Sequence, residues 1–245
     1  RLGRYKLTIQ YDGSAFFGWQ LQAKERTVQG VLEKAVQKIS GPKGRIPVHG
    51  AGRTDTGVHA LGQVAHVDLE TRLDEKDLKN ALNGNLPGEC RIMNIEKASD
   101  DFQARFGATK RHYQYQCFEG DSILYKNQAW QLKNMDLGRL NQLASPVIGD
   151  HDFLSLSKFR EDLEHTRCII YKSKWKSDGK MVIFYITGNR FLHHMVRYLV
   201  GTMVAVAEER FTEKEFLSLL KNPQKDVRVF KAPAQGLILT QVDYE

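Results

Sequence analysis

Two hydrophobic periods alternate along this chain of 245 residues, and their order restricts the fold more tightly than any single motif. Apolar residues two apart mark a strand, and apolar residues three and four apart mark a helix. Arg4–Tyr11 alternates with period two and stops at the turn Asp12-Gly13. Thr27 then caps a helical stripe of Val28, Val31, Leu32, Ala35, Val36 and Ile39, which Gly41-Pro42 ends. Arg45–Val48 and Gln63–Glu70 read as strands. Asp74 caps a helix through Leu86, stopped by Pro87-Gly88, and Arg91–Ala98 is a further strand.

The second half runs through a related series. His112–Phe118 alternates as a strand, and Asp136–Ala144 is helical. Arg167–Trp175 and Met181–Thr187 form a hairpin through Ser177-Asp178-Gly179. Arg190–Glu209 reads as one long helix, Thr212–Lys221 as a shorter one, and Gly236–Tyr244 as a closing strand. β-α-β-β-α-β is the order of the ferredoxin-like split βαβ unit. The expectation is an α+β fold of two such halves, residues 1–104 and 105–245, with their sheets side by side around a central basic cleft. A formal charge of +7 points to a polyanionic partner, nucleic acid before membrane, because no basic amphipathic helix stands out.

The densest chemistry lies in Val48-His49-Gly50-Ala51-Gly52-Arg53-Thr54-Asp55-Thr56-Gly57-Val58-His59-Ala60. A glycine-flanked Asp beside an Arg, on a loop feeding a strand, suits a working carboxylate. The same composition suits a tight turn. Two nucleotide-binding patterns nearly fit and fail. In G-x-G-x-x-G the third glycine is replaced by Asp55, and a strand follows where a helix is required. In the phosphate-loop pattern Gly52 and Gly57 have the right separation, but Val58-His59 replaces the Lys and the hydroxyl that holds magnesium. His49, His59, His66, His193 and His194 lack the spacing of a metal-binding helix, and His193-His194 would point to different helix faces, so no catalytic metal is expected. Cys90, Cys117 and Cys168 are scattered and odd in number, which fits a reducing cytoplasm better than a disulfide framework. No signal-like apolar segment follows Arg1, and Phe191–Ala207 is too short and polar to span a bilayer, so no membrane partner is expected.

Two further stretches bear on that loop. Lys110-Arg111-His112-Tyr113-Gln114-Tyr115 is a basic-aromatic strand, with Tyr113, Tyr115 and Arg111 on one face by the two-residue period. On an open sheet face such aromatics stack bases at about 1–3 kcal/mol each while cations meet phosphates. In a core they are an ordinary packed pair. In the helix containing Leu192, Met195, Val196, Leu199 and Met203, Arg197 needs a partner, since an unpaired buried charge is costly. Asp55 is a candidate, and such a pairing would lower the Asp pKa by about 1–3 units. An Arg exposed at the helix edge would need none. Gly201 costs up to about 1 kcal/mol relative to Ala inside that helix, which suggests close packing there.

Gly52-Arg53-Thr54-Asp55-Thr56-Gly57-Val58-His59-Ala60 resembles the GRTDxGVHA signature of the tRNA pseudouridine synthase A (TruA) family. The resemblance runs nearly end to end. It takes in Tyr11-Asp12-Gly13, Phe17-Gly18-Trp19-Gln20, Thr27-Val28-Gln29, Arg111-His112-Tyr113, His151-Asp152-Phe153, Phe191-Leu192-His193-His194-Met195-Val196-Arg197, Gly236-Leu237-Ile238-Leu239 and Val242-Asp243-Tyr244. It implies that Asp55 is the catalytic aspartate, that Tyr113 stacks on the target uracil and helps remove the C5 proton, and that Arg197 pairs with the catalytic carboxylate. It also implies that Arg53 enters the RNA beside the flipped nucleotide. Lys110, Arg111 and His59 join Arg53 and Tyr113 as candidate substrate-binding residues. The family's members are homodimers that isomerise uridines 38, 39 and 40 in the anticodon stem-loop of tRNA, without cofactor or metal. Tyr198, Arg190 and Leu156 depart from the family pattern, and none of them belongs to the Asp, Tyr and Arg set.

The expected function is therefore a tRNA pseudouridine synthase. The alternative is a noncatalytic RNA-binding module on the same scaffold. A carboxylate placed among phosphates discriminates the two, because pure binding is only penalised by it.

Overall fold

The period-two stretch near the chain start forms β1 (Gly3–Tyr11), with Tyr5, Leu7, Ile9 and Tyr11 buried in alternation. It belongs to a computed structural model in which residues 2–41 and 44–245 are described. The chain divides into two compact units, Arg1–Thr109 with Leu239–Glu245, and Lys110–Ile238. Strands and helices are mixed in both, an α+β architecture.

In the first unit α1 (Val28–Ser40) begins where the Thr27 side chain accepts the Gly30 N–H and ends at Gly41, which has a φ of +77°. The proline of the expected Gly41-Pro42 stop lies outside the described residues. Buried Val28, Leu32, Ala35 and Val36 supply the apolar stripe of α1, each worth about 1.5–3 kcal/mol for the larger side chains. After β2 (His49–Gly50) and β3 (His59–Leu69), Asp74 caps α2 (Glu75–Gly84) by accepting the Asp77 N–H. The helix stops two residues before Leu86 because Asn85 caps it and its side-chain amide turns back to the Ala81 carbonyl. β4 (Cys90–Ala98) completes the order β1-α1-β2-β3-α2-β4. The strands lie as β4-β1-β3, with antiparallel neighbours, and β3 also pairs with β2.

Arg45–Val48 is not the strand that its pattern predicts. Its polar groups are taken by α1 instead: Arg45 forms a two-nitrogen pair with Glu33, the Val48 N–H donates to Glu33, and Gln29 donates to the Val48 carbonyl. The only ladder pairing there is the two-residue β2, with His49 opposite His66 and Gly50 opposite Ala65. β3 in turn begins at His59, four residues before the expected Gln63, so the loop that carries Asp55 is tied at both ends to the sheet.

The second unit is built on β5 (Ala108–Glu119), β7 (Gly149–Asp152), β8 (Arg167–Asp178) and β9 (Met181–Gly188), in the lateral order β5-β9-β8-β7. Neighbours in that order are antiparallel. A short β6 (Trp130–Leu132) runs parallel to the end of β5. β6 and β7 are too short, and β7 too polar, for a two-residue period to register. Helices α3 (Leu137–Ala144), α4 (Met195–Ala207) and α5 (Glu213–Lys221) follow; Asp136 caps α3 by accepting the Arg139 N–H, and Thr212 caps α5 in a full capping box with Glu215. Trp175, Phe184, Tyr115, Phe153 and Phe216 are fully buried. The closing strand β10 (Leu237–Tyr244) neighbours β3 through its part in the first unit.

The largest departure is the start of α4. The apolar pattern predicts a helix from Arg190, but α4 begins at Met195. His194 adopts a left-handed φ of 63°, which an α-helix does not admit. The preceding residues are held elsewhere: the Asn189 N–H and side chain bond Ile169 of β8, and the His193 carbonyl accepts the Lys158 N–H. His193 and His194 therefore do not occupy different faces of a helix; their rings stack, with centroids 3.9 Å apart. No helix among the described residues is long and apolar enough to cross a membrane.

Candidate active site

Asp55 sits half-buried on a loop whose neighbours are each fixed. The Ala51 N–H donates to Val64 O at 2.8 Å, and the Gln63 amide donates to Gly52 O at 2.8 Å. Thr54 is buried, its hydroxyl 2.8 Å from that of Tyr11, and its carbonyl accepts the Trp19 N–H at 3.1 Å. The Val58 N–H closes a turn onto Asp55 O at 3.1 Å, across Gly57 at φ +86°. Arg53 and Thr56, on either side of this frame, are exposed. The backbone around Asp55 is thus ordered before any ligand arrives, which is the preorganisation a reacting carboxylate needs.

His59 serves the frame. It is buried, and its Nδ1 accepts the Gly13 N–H at 2.9 Å, which leaves the ring proton on Nε2. That bond ties the turn after β1 to the start of β3.

The aromatic stretch Phe16–Gln20, whose Phe17–Gln20 carries part of the family resemblance, supports the site loop in a way its pattern does not show. It reads as a loop, and it is one, but Phe16 and Trp19 are each 2% exposed. The Trp19 indole lies against Gly50, where an added Cβ would be 2.6 Å from the ring. Gly18, at φ +80°, passes so close to the site loop that a Cβ would be 2.7 Å from Thr54 O. Gly52, by contrast, has nothing within 4 Å of that position. The close approaches that the glycines permit are thus within the protein, at Gly18 and Gly50. The available signal was an aromatic-rich loop flanked by glycine, a composition that an exposed connection does not require.

In the second unit Tyr113 is half-buried on β5 opposite Ile186 and meets Phe191 edge to face, with ring centroids 5.0 Å apart. Arg111 shares its face by the strand period and donates to Asn189 O at 2.9 Å. Both therefore bear on the residues that lead into α4. The face is not the open one. Tyr115, two residues on, is fully buried opposite Phe184 and donates its hydroxyl to Pro233 O at 2.6 Å. Burial pushes that phenol well above its ordinary pKa. Of the two tyrosines, Tyr115 is a core residue. Lys110 points to the opposite face, its ammonium 4.9 Å from the Tyr171 ring centroid.

Arg197 lies on the first turns of α4 and is half-buried. Its Nε donates to Ala232 O at 2.9 Å, and the Ala232 N–H returns a bond to Arg197 O at 3.0 Å. One turn later Gly201 admits the same segment: a Cβ there would be 2.2 Å from Phe230 O. The close packing expected at Gly201 is therefore against the 230–232 segment. Among the departures from the family pattern, Arg190 donates to the carbonyls of His165 and Arg167, Tyr198 meets the His194 ring, and Leu156 is fully buried. Cys90 and Cys168 are free and buried, which pushes their thiols up to about 12.

A family model described as tRNA pseudouridine synthase matches residues 7–107 and 143–245. A protein named tRNA pseudouridine synthase A from Ehrlichia chaffeensis is 38% identical over 246 residues, covering 98% of this chain and 100% of that one. Its namesake from Bradyrhizobium diazoefficiens is 38% identical over 245 residues, covering 98% and 99%. Among solved structures, a chain from a Cbf5-Nop10-Gar1 complex aligns over 96% of this chain and 57% of its own at 10% identity, with a TM-score of 0.40, too distant to bear on fold or activity here.

Proposed function

The chain belongs to the tRNA pseudouridine synthase family, an isomerase that acts on tRNA, and from that premise we propose that Asp55 is the group that carries the reaction. The observation that supports it is the fixed loop: among the residues of the Gly52–Ala60 signature, Asp55 holds the one carboxylate, on a backbone secured on both sides by Thr54 and Val58.

Isomerisation breaks the N1–C1′ bond of uridine, turns the base, and forms a C5–C1′ bond. The C5 proton leaves and N1 gains one, so atoms balance with no co-reactant. A carboxylate serves this by attacking C1′ as a nucleophile or by taking the C2′ proton to give a glycal-like intermediate. Tyr113 stacks on the detached uracil and keeps it in place, and its hydroxyl helps remove the C5 proton. Arg197 keeps Asp55 ionised, and its Nε bond to Ala232 O helps fix the plane of the guanidinium.

Arg53, exposed beside Asp55, enters the RNA where the base leaves its stack, a step costing a few kcal/mol. Lys110 and Arg111 meet phosphates from β5. His59 acts on RNA only through the loop it fixes. The substrate site is the anticodon stem-loop, at positions 38, 39 and 40. The protein works as a homodimer in the cytoplasm, and residues 1–104 and 105–245 are two ferredoxin-like halves. Pseudouridine mapping of tRNA incubated with the purified chain tests the site. Product at 38–40 is expected, and product confined to another arm of the tRNA would overturn it.

A further inference from the structure

The sheet face of the second unit that carries Lys110 holds further cations that the chemistry above leaves unused. Beyond an irregularity between Ile170 and Lys172, β8 turns Lys172, Lys174 and Lys176 outward, all three exposed. Successive members of this row are two residues apart on one strand, roughly 6.8 Å, a spacing suited to consecutive phosphates of a nucleic-acid strand. Lys174 stands opposite Tyr185 of β9, and Tyr185 opposite Gln114 of β5. The ammonium groups of Lys172 and Lys176 lie 5.1 and 5.6 Å from the Tyr185 ring centroid. Tyr185 thus gathers two of the cations at its ring.

No Asp or Glu stands opposite the three lysines on β9, or beside those positions on β5. Among the described residues none of the three lysines forms an ion pair with a carboxylate. A solvated face built for solubility alone ordinarily mixes both signs. Here three cations gather around an aromatic centre, with Asp178 following only at the hairpin end of the row, and they stand beside amide side chains that accept and donate to sugar hydroxyls.

We propose that the Lys172, Lys174 and Lys176 row with Tyr185 is a docking surface for the sugar–phosphate backbone of the tRNA substrate, separate from the residues that carry the chemistry. The inference rests on the tRNA-isomerase reading and adds to it a second, sequence-independent RNA contact. Phosphate contacts of this kind position a nucleic acid without reading its sequence.

The test is the salt dependence of tRNA affinity for the full chain and for the triple variant Lys172→Gln, Lys174→Gln, Lys176→Gln. A charge-matched control replaces Lys34, Lys38 and Lys76, exposed on α1 and α2, with Gln. Each phosphate contact contributes about 0.7–0.9 to the slope of log K against log salt. The docking variant is expected to flatten that slope by about 2–3, and the control by less than about 1. A wild-type slope in the docking variant, or an equal loss in the control, overturns the proposal. Pseudouridine formation by the unmodified protein is measured in parallel. Its absence would refute the isomerase reading instead, so the two failures are told apart.

Discussion

Gly50→Ala and Gly52→Ala should behave as opposites, although the two glycines are two residues apart in the same loop. A Cβ on Gly50 would lie 2.6, 2.7 and 2.8 Å from three atoms of the Trp19 indole. Trp19 has little freedom to withdraw. It is 2% exposed, its N–H bonds Thr54 O, and its carbonyl accepts the Gln29 N–H at 3.0 Å. Overpacking of this kind costs about 1–3 kcal/mol. For a chain of this size that corresponds to a melting temperature lower by about 2–12 °C. The displaced ring also pulls on Thr54, so pseudouridine turnover should fall with stability. A Cβ on Gly52 would meet nothing within 4 Å, and the variant should stay within about 0.5 kcal/mol of the parent. Thermal unfolding of both variants, with turnover measured below the transition, decides the matter. Equal shifts, or a larger one for Gly52→Ala, would refute the claim that Trp19 buttresses the Asp55 loop through Gly50.

Two further outcomes follow from named contacts. Tyr113→Phe keeps the ring and its stacking, so RNA affinity should hold while turnover falls by about 10²-fold or more; parental turnover would remove the hydroxyl from the chemistry. His66 is buried, with Nδ1 accepting the Ala104 N–H, and its pKa is lowered from 6.5 to about 4, first by burial and then by Arg4 and His49. Between those values the unfolded chain binds the proton and the folded chain does not, so stability is full above pH 6.5 and falls as pH drops towards 4. The loss is at most about 1.4 kcal/mol per pH unit. Denaturant titrations at several pH values should show that component in the parent and lose it in His66→Gln; an unchanged difference across pH would contradict it.

Much of this protein was legible where one local rule decides the outcome. Thr27 and Asp74 cap the helices expected of them, and the stretches read as helical from Asp136 and Thr212 are capped by those residues, because a cap is a contact between residues three apart. The Gly52–Ala60 signature located the loop in one step. What stayed hidden depends on distant partners. Arg45–Val48 alternates like a strand, but its polar groups are claimed by Glu33 and Gln29. The apolar run from Arg190 reads as helix until His194 breaks it, and nothing in the residue's neighbours marks that backbone. Period two correctly put Tyr113 and Tyr115 on one face, yet it does not say which face a sheet covers. Pro233, 118 residues away from Tyr115, settles that. Trp19 read only as part of an aromatic loop because its contacts with Gly50 and Thr54 are made across 31 and 35 positions.

Asp55→Asn tests the central claim most directly, because it keeps the side chain's shape and the surrounding hydrogen-bonded loop while removing its basicity and nucleophilicity. Two quantities are needed from the same preparation: pseudouridine formed in tRNA, and affinity for that tRNA. Turnover should fall by at least about 10²–10⁴-fold, with affinity kept at or above that of the parent, since a negative charge among phosphates has been removed. Turnover near the parental rate would contradict the assignment of the reaction to Asp55.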